Sequence, residues 1–234
     1  MRRSATLTGL ILAGLFTLGA CSSGDESFST VDMTKRLVNS YKEARQPTQP
    51  IAPPDLRLAL ETKVALETAD PGAPLATVTF KTLGVATVLR IIETNRAHLT
   101  WAAYGTADRR YIVTKQGFIT ATRRIARDLM SAHVDEVAAL VSARQEGAAQ
   151  YTQRYLDGNH KIAEETYSCE ITRGYDQTVP LPDRTVPVLQ MFSSCISEER
   201  QFVDLFLVDA SGKVIESRQW VGPGLGFAVM KHLR

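Results

Sequence analysis

Arg110-Tyr-Ile-Val-Thr-Lys-Gln-Gly-Phe-Ile-Thr-Ala-Thr122 reads as two short strands around a tight link. Its β-branched and aromatic residues suit a pleated, half-buried surface, and Lys115-Gln-Gly117 ends in the glycine that a compact turn needs. A hairpin at this point sets the reading of what precedes it. Leu75 to Phe80, Ala86 to Ile92 and Ala97 to Ala102 have the same composition and are spaced by turn signals. The run predicts an antiparallel meander.

Toward the C-terminus the period of two first breaks. Asp128 to Ala143 can place Val134, Val137, Ala138 and Val141 on one helical face, with Asp135 and Glu136 early enough to complement the helix dipole. Strand character resumes in Tyr151 to Leu156 and His160 to Thr172, around Asp157-Gly158, whose residues both tolerate positive φ. Tyr167, Cys169 and Ile171 share a face in the second of these, which turns the cysteine inward. Gly174 to Pro187, with three prolines, reads as a long loop. Val188 to Phe192, Gln201 to Val208 and Val214 to Val221 follow as strands, and Gly222 to Gly226 reads as a tight turn before a last one. The fold class expected is mainly β: an antiparallel meander or barrel-like sheet with a short N-terminal helix and a mid-chain helical segment.

The N-terminal part has a different character. Met1-Arg-Arg, the apolar run Leu7 to Leu18 and the small residues after it form a signal sequence, too short and interrupted for a spanning helix. Leu18-Gly-Ala-Cys21 resembles the lipobox of bacterial lipoproteins, which implies cleavage before Cys21 and acylation of its thiol. Ser22 rather than Asp after that cysteine implies sorting to the outer membrane. Ser22 to Ser29 reads as a polar tether. Thr30 to Ala44 places Val31, Leu37, Val38 and Tyr41 along a helical face, and four prolines between Arg45 and Pro54 stop it. The division expected is a signal peptide at 1–20, a tether at 21–29, a helix and proline-rich connector at 30–54 and one β-rich domain at 55–234.

The whole chain carries 27 Lys and Arg against 25 Asp and Glu, and removal of Arg2 and Arg3 with the signal leaves a balanced protein. A balance of that kind argues against a general electrostatic grip on nucleic acid. With Cys21 assigned to the anchor, Cys169 and Cys195 form an even pair in an exported protein and read as a disulfide. No CxxC occurs, and His98, His133, His160 and His232 are scattered, so no metal site is expected.

Arg110 to Thr122, Tyr155 to Ile171 and Gly212 to Leu233 (GKVIESRQWVGPGLGFAVMKHL) together resemble the YjbF family, which includes the group 4 capsule lipoprotein GfcB. The likeness runs from about Leu75 to Leu233 in the same order, and the tract after Met130 is longer and richer in alanine than in that family. The resemblance implies a mainly β, periplasmic accessory protein tethered to the outer membrane and serving capsule or exopolysaccharide export. Its implied partners are the emerging glycan, export proteins including an outer-membrane β-barrel, or both. It carries over no catalytic residues and no cofactor.

The residues themselves agree. No GxSxG, HExxH, P-loop or GxGxxG motif occurs. Glu164-Glu165 and Glu198-Glu199 are adjacent carboxylates, and neighbours in a strand point to opposite faces, so an acid and base pair would need carboxylates from distant segments. The alternative function, a periplasmic enzyme that modifies the glycan, depends on such convergence. For binding, a pyranose offers an apolar face and a rim of hydroxyls, which an aromatic ring with planar hydrogen-bonding neighbours would match. Arg218-Gln219-Trp220 has those residue types, with Arg218 and Trp220 on one face of a strand. Trp101, with Tyr104, is the second candidate; core packing is the competing role of both tryptophans.

Overall fold

The computed structural model describes residues 56–105, 110–156 and 161–234. Helix α1 (Leu56–Thr68) precedes strands β1 (Leu75–Phe80), β2 (Val85–Asn95), β3 (His98–Ala103), β4 (Tyr111–Lys115), β5 (Phe118–Arg123) and β6 (Leu129–His133). Helix α2 (Asp135–Ser142) leads into β7 (Gly147–Leu156), β8 (Ile162–Pro180), β9 (Thr185–Ile196), β10 (Gln201–Val208), β11 (Val214–Trp220) and β12 (Phe227–His232). They form one 12-stranded sheet in the order β5-β4-β3-β2-β1-β12-β11-β10-β9-β8-β7-β6. All its ladders are antiparallel. Each ladder joins strands consecutive in sequence except the one between β1 and β12, where Ala76 faces His232 and Phe80 faces Ala228; of consecutive strands only β5 and β6 do not pair.

The sheet curls until its two edges, β5 and β6, approach each other and the barrel is nearly closed. Phe118 of β5 reaches across the interior to Phe206 of β10, ring centroids 4.3 Å apart. Side chains bridge the seam: the Arg123 guanidinium donates to the carbonyls of Leu129 (3.2 Å) and Met130 (3.3 Å), and the Thr122 hydroxyl donates to Asp128 (2.9 Å). The hairpin that anchored the sequence reading has a two-residue turn with positive φ at Gln116 (51°) and Gly117 (87°), the type I′ geometry that matches strand twist. A Cβ on Gly117 would also lie 2.6 Å from Cβ of Val214, so the glycine answers to space as well as to φ.

The interior is filled. Val78, Phe80, Trp101, Ile112, Ile119 and Met230 form one buried cluster. Tyr167, Met191, Phe202 and Phe206 form another, into which α2 inserts Val137, Ala138 and Val141, and the residue just before the helix inserts as well, Val134. β10 is buried on both faces, because the far end of the long β8–β9 hairpin folds over its outer side and packs Val179, Leu181 and Val186 against Val203, Leu205 and Leu207. Outside β1 and β2, α1 packs Ala65 against Leu75, Val88 and Leu233.

The inward cysteine is where alternation placed it. Cys169 of β8 stands opposite Cys195 of β9, and the two are joined as a disulfide. For a separation of 26 residues the chain-entropy argument assigns the cross-link roughly 3 kcal/mol. Replacing both cysteines with serine is therefore expected to lower the melting temperature by about 6 to 12 °C in calorimetry. In the parent protein these two thiols should titrate only after reduction.

Three expectations are corrected. Leu129–His133 is a strand, so the mid-chain helix spans only Asp135–Ser142. Most of Gly174 to Pro187 is strand: β8 runs through a bulge between Arg173 and Asp176 to Pro180, and β9 begins at Thr185. Helix α1 occupies a stretch to which the sequence pattern assigned no element. Cys21, the tether, the Thr30 to Ala44 helix, the proline-rich connector and the Asp157-Gly158 turn lie outside the described residues.

Candidate functional site

β11 sorts its three candidate residues by alternation. Arg218 and Trp220 share a face and meet on one ring: the Arg218 guanidinium lies 3.6 Å from the Phe227 centroid, and Trp220 packs edge-on against Phe227 at 5.3 Å. Arg218 also donates to the Val203 carbonyl at 3.2 Å. Trp220 is only half-exposed, stacked on Phe202 at 6.0 Å, and its buried indole nitrogen makes no hydrogen bond among the described residues. This face is a packed aromatic seam rather than an open platform.

Gln219 and Trp101 do not face solvent. Gln219, 3% exposed, points into the barrel, where its carbonyl accepts from the Ile119 amide (2.9 Å) and its amide donates to the Gly117 carbonyl and the Ser217 hydroxyl (2.8 Å each). It clamps the backbone of edge strand β5, beside the β4–β5 bulge, to β11. Trp101, 1% exposed, donates its indole N–H to Thr114 at 2.9 Å and packs edge-on to His232. Burial holds the His232 imidazole down at about 4, with the Lys213 charge acting in the same direction.

Another buried polar group sits behind Trp220. Asp204 accepts the Trp220 amide at 2.7 Å, and burial pushes its carboxyl up to about 8 against the opposing pull of that hydrogen bond and of Arg218. Gln153 ties the same region together, donating to the Tyr151 hydroxyl at 2.6 Å and to the Trp220 carbonyl at 3.1 Å.

The more open arrangement lies where the β5–β6, β9–β10 and β11–β12 loops meet the paired ends of β7 and β8. A pocket of about 270 Å³ is lined there by Arg127, Tyr155, Leu156, Ala163, Glu199, Arg200, Pro223 and Gly224. Beneath it Glu165, 8% exposed, accepts the Tyr155 hydroxyl at 2.9 Å and the Ser197 hydroxyl, and pairs with Arg200 at 3.3 Å. Arg200 also donates to Glu199 at 3.1 Å, and its guanidinium lies 5.8 Å from the Tyr155 ring centre. Burial, followed by the Glu165 contact, pushes the Tyr155 phenol up to about 12. Carboxylates from distant segments therefore do converge, but on a shared guanidinium. A second pocket of about 200 Å³ opens at the same end of the barrel, between Arg57 and Glu61 of α1, Phe80, Gly84, Arg110 and Ile125. Among the described residues no group of His, Cys, Asp and Glu side chains forms a metal-binding cluster.

Residues 67–233 match the family model described as "Group 4 capsule polysaccharide lipoprotein gfcB, YjbF". The chain belongs to the YjbF family. A solved structure described as the hypothetical lipoprotein YmcC from Escherichia coli (K12) has a TM-score of 0.60 to it at 19% identity, covering 75% of this chain and 96% of that one. At that identity the likeness is one of fold. No curated protein matches. The YjbF match begins within α1 and takes in the whole barrel, so the disulfide, the Arg218 and Trp220 face and the Tyr155 and Arg200 pocket lie within it, while Arg57 and Glu61 of the second pocket precede it.

Proposed function

We propose that this YjbF-family protein is an outer-membrane lipoprotein, anchored through Cys21 and facing the periplasm, that acts without catalysis as an accessory factor in capsule or exopolysaccharide secretion or assembly. The observation that carries the reading is the family match over residues 67–233, joined to a lipobox at Leu18 to Cys21 that lies outside the matched span and supports it independently. On this reading residues 1–20 are removed, 21–29 form the tether, 30–54 the helix and connector, and 55–234 the working domain. The fold suits a contact surface: the interior is occupied by side chains and α2, and two polar recesses open at one rim.

Among the described residues, the convergence of Glu165 and Glu199 on Arg200 is the arrangement that favours a glycan-modifying enzyme. Both carboxylates are bound to the same guanidinium, and Glu165 also holds Tyr155 and Ser197, which is an arrangement for positioning rather than for proton exchange. An enzyme would fail on substitution of one of these groups at unchanged abundance, whereas a scaffold fails through its surfaces or its anchor.

Cys21→Ser tests the anchor. Each buried methylene of an acyl chain contributes about 0.8 kcal/mol, so removal of the acylated thiol should shift the protein from the outer-membrane fraction to the soluble periplasm, with loss of surface polysaccharide. Fractionation and the mass of the N-terminal peptide read this directly; a serine variant that still pellets with the outer membrane rules the anchor out. Affinity capture of the detergent-extracted protein, with protein and sugar analysis of the same eluate, then separates an export-protein partner from the glycan.

A further inference from the structure

We propose that the pocket between Tyr155, Arg200 and Arg127 binds one acidic sugar residue, a uronate unit, of the polysaccharide; this rests on the reading that the protein serves glycan export. At about 270 Å³ the pocket is below the ~300 Å³ where drug-sized sites begin, and it suits a single ring of a longer chain. Its walls differ in chemistry. Tyr155, Leu156, Ala163 and Pro223 give an apolar side for the face of a pyranose, and Glu199 beside Arg200 gives an acceptor and a donor for its hydroxyls.

The carboxylate specificity comes from Arg127. Glu165 beneath the pocket is matched by Arg200, and Glu199 has a side chain 70% exposed, where water screens its charge. Arg127 has no ion pair among the described residues, and its planar fork suits bidentate capture of a carboxylate. Its stem is also held in place. A Cβ on Gly224 would lie 2.2 Å from Cβ of Arg127 and 3.0 Å from its Cγ, so only a glycine lets the arginine lie across the β11–β12 loop. Loops far apart in sequence thus place a guanidinium opposite an aromatic ring.

The test is calorimetric titration of the full-length, detergent-extracted protein with tetragalacturonate, with maltotetraose as the neutral control. The expected result is saturable binding of one tetragalacturonate per protein, at least tenfold weaker for maltotetraose. It should fall at least tenfold in Arg127→Ala and in Gly224→Ala, with melting of both variants followed in parallel. Arg127 is exposed, so its alanine variant keeps the fold and is the deciding one. Equal affinity for the two sugars, no binding of either, or undiminished binding by Arg127→Ala overturns the proposal. So does Arg127-dependent binding to phosphatidylglycerol vesicles without binding of tetragalacturonate, which would assign the site to lipid headgroups. If the site fails while deletion of the gene still abolishes surface polysaccharide, only the pocket assignment is lost; if deletion leaves export intact, the functional reading is lost.

Discussion

Gln219→Ala is expected to melt roughly 10 to 15 °C below the parent protein, the largest single-residue loss outside the apolar core. The side chain has three jobs at once. It accepts the Ile119 amide, donates to the Gly117 carbonyl and reaches the Ser217 hydroxyl, all inside the barrel. Alanine would leave the Ile119 amide of edge strand β5 and the Gly117 carbonyl of the turn before it without this partner, each costing about 1 to 3 kcal/mol, and would open a cavity as well. A total of about 4 to 5 kcal/mol follows. The measurement is thermal or urea unfolding followed by circular dichroism, with hydrogen exchange at Ile119 as the local readout. Unchanged protection of that amide in the variant would show that the clamp does not hold β5.

The pH dependence of stability is expected to turn on Asp204 and His232, which act in opposite directions. Asp204 keeps its proton in the folded state up to about 8 but loses it near 3.8 when unfolded, so its contribution is full below 3.8 and disappears as the pH rises to 8. Over that span it amounts to on the order of 5 kcal/mol. His232 is the converse: folded at about 4 against 6.5 unfolded, it stabilises above 6.5, and that contribution is lost as the pH falls toward 4. Between about 4 and 6.5 the two slopes cancel, and from 6.5 to 8 only the Asp204 loss remains, about 2 kcal/mol. Asp204→Asn retains an oxygen for the Trp220 amide and removes the ionisation. Its stability should rise from pH 4 to 6.5 and then stay level to 8, where it should exceed the parent's. Parallel pH profiles of the two proteins would refute the assignment.

Much of the sheet was legible because its strands alternate or are rich in β-branched residues: Leu75–Phe80 and Gln201–Val208 were read to the residue. β6 was not, since Leu-Met-Ser-Ala-His has no β-branched residue and runs directly into the helical face of α2. Pro180 and Pro187 made a hairpin read as a loop, yet Pro180 ends β8 and Pro187 sits within β9, where β8 has resumed pairing after its bulge. α1 has too little of a one-sided stripe to signal itself: Leu60 and Val64 are exposed while Ala65 carries the deep contact. At the site, alternation correctly put Arg218 and Trp220 together but could not say which face of β11 is inward, and so could not tell that Gln219 was the buried one. The Tyr155, Arg200 and Arg127 pocket had no signal at all. Its walls come from loops and strand ends that meet only when a sheet of this length curls into a barrel.

The pairing of β1 with β12 has a consequence for how the chain acquires its structure. Every other ladder joins strands that emerge one after another, but Ala76 waits for His232. A chain delivered N-terminus first therefore carries β1 with one side uncovered until nearly all of it has appeared, and the slow step is a loop closure spanning most of the domain. Until that moment the uncovered side of β1 is a template for any passing extended chain, so the protein's vulnerability to misassembly belongs to its biogenesis, when a holdase would protect it, and ends when the last strand docks.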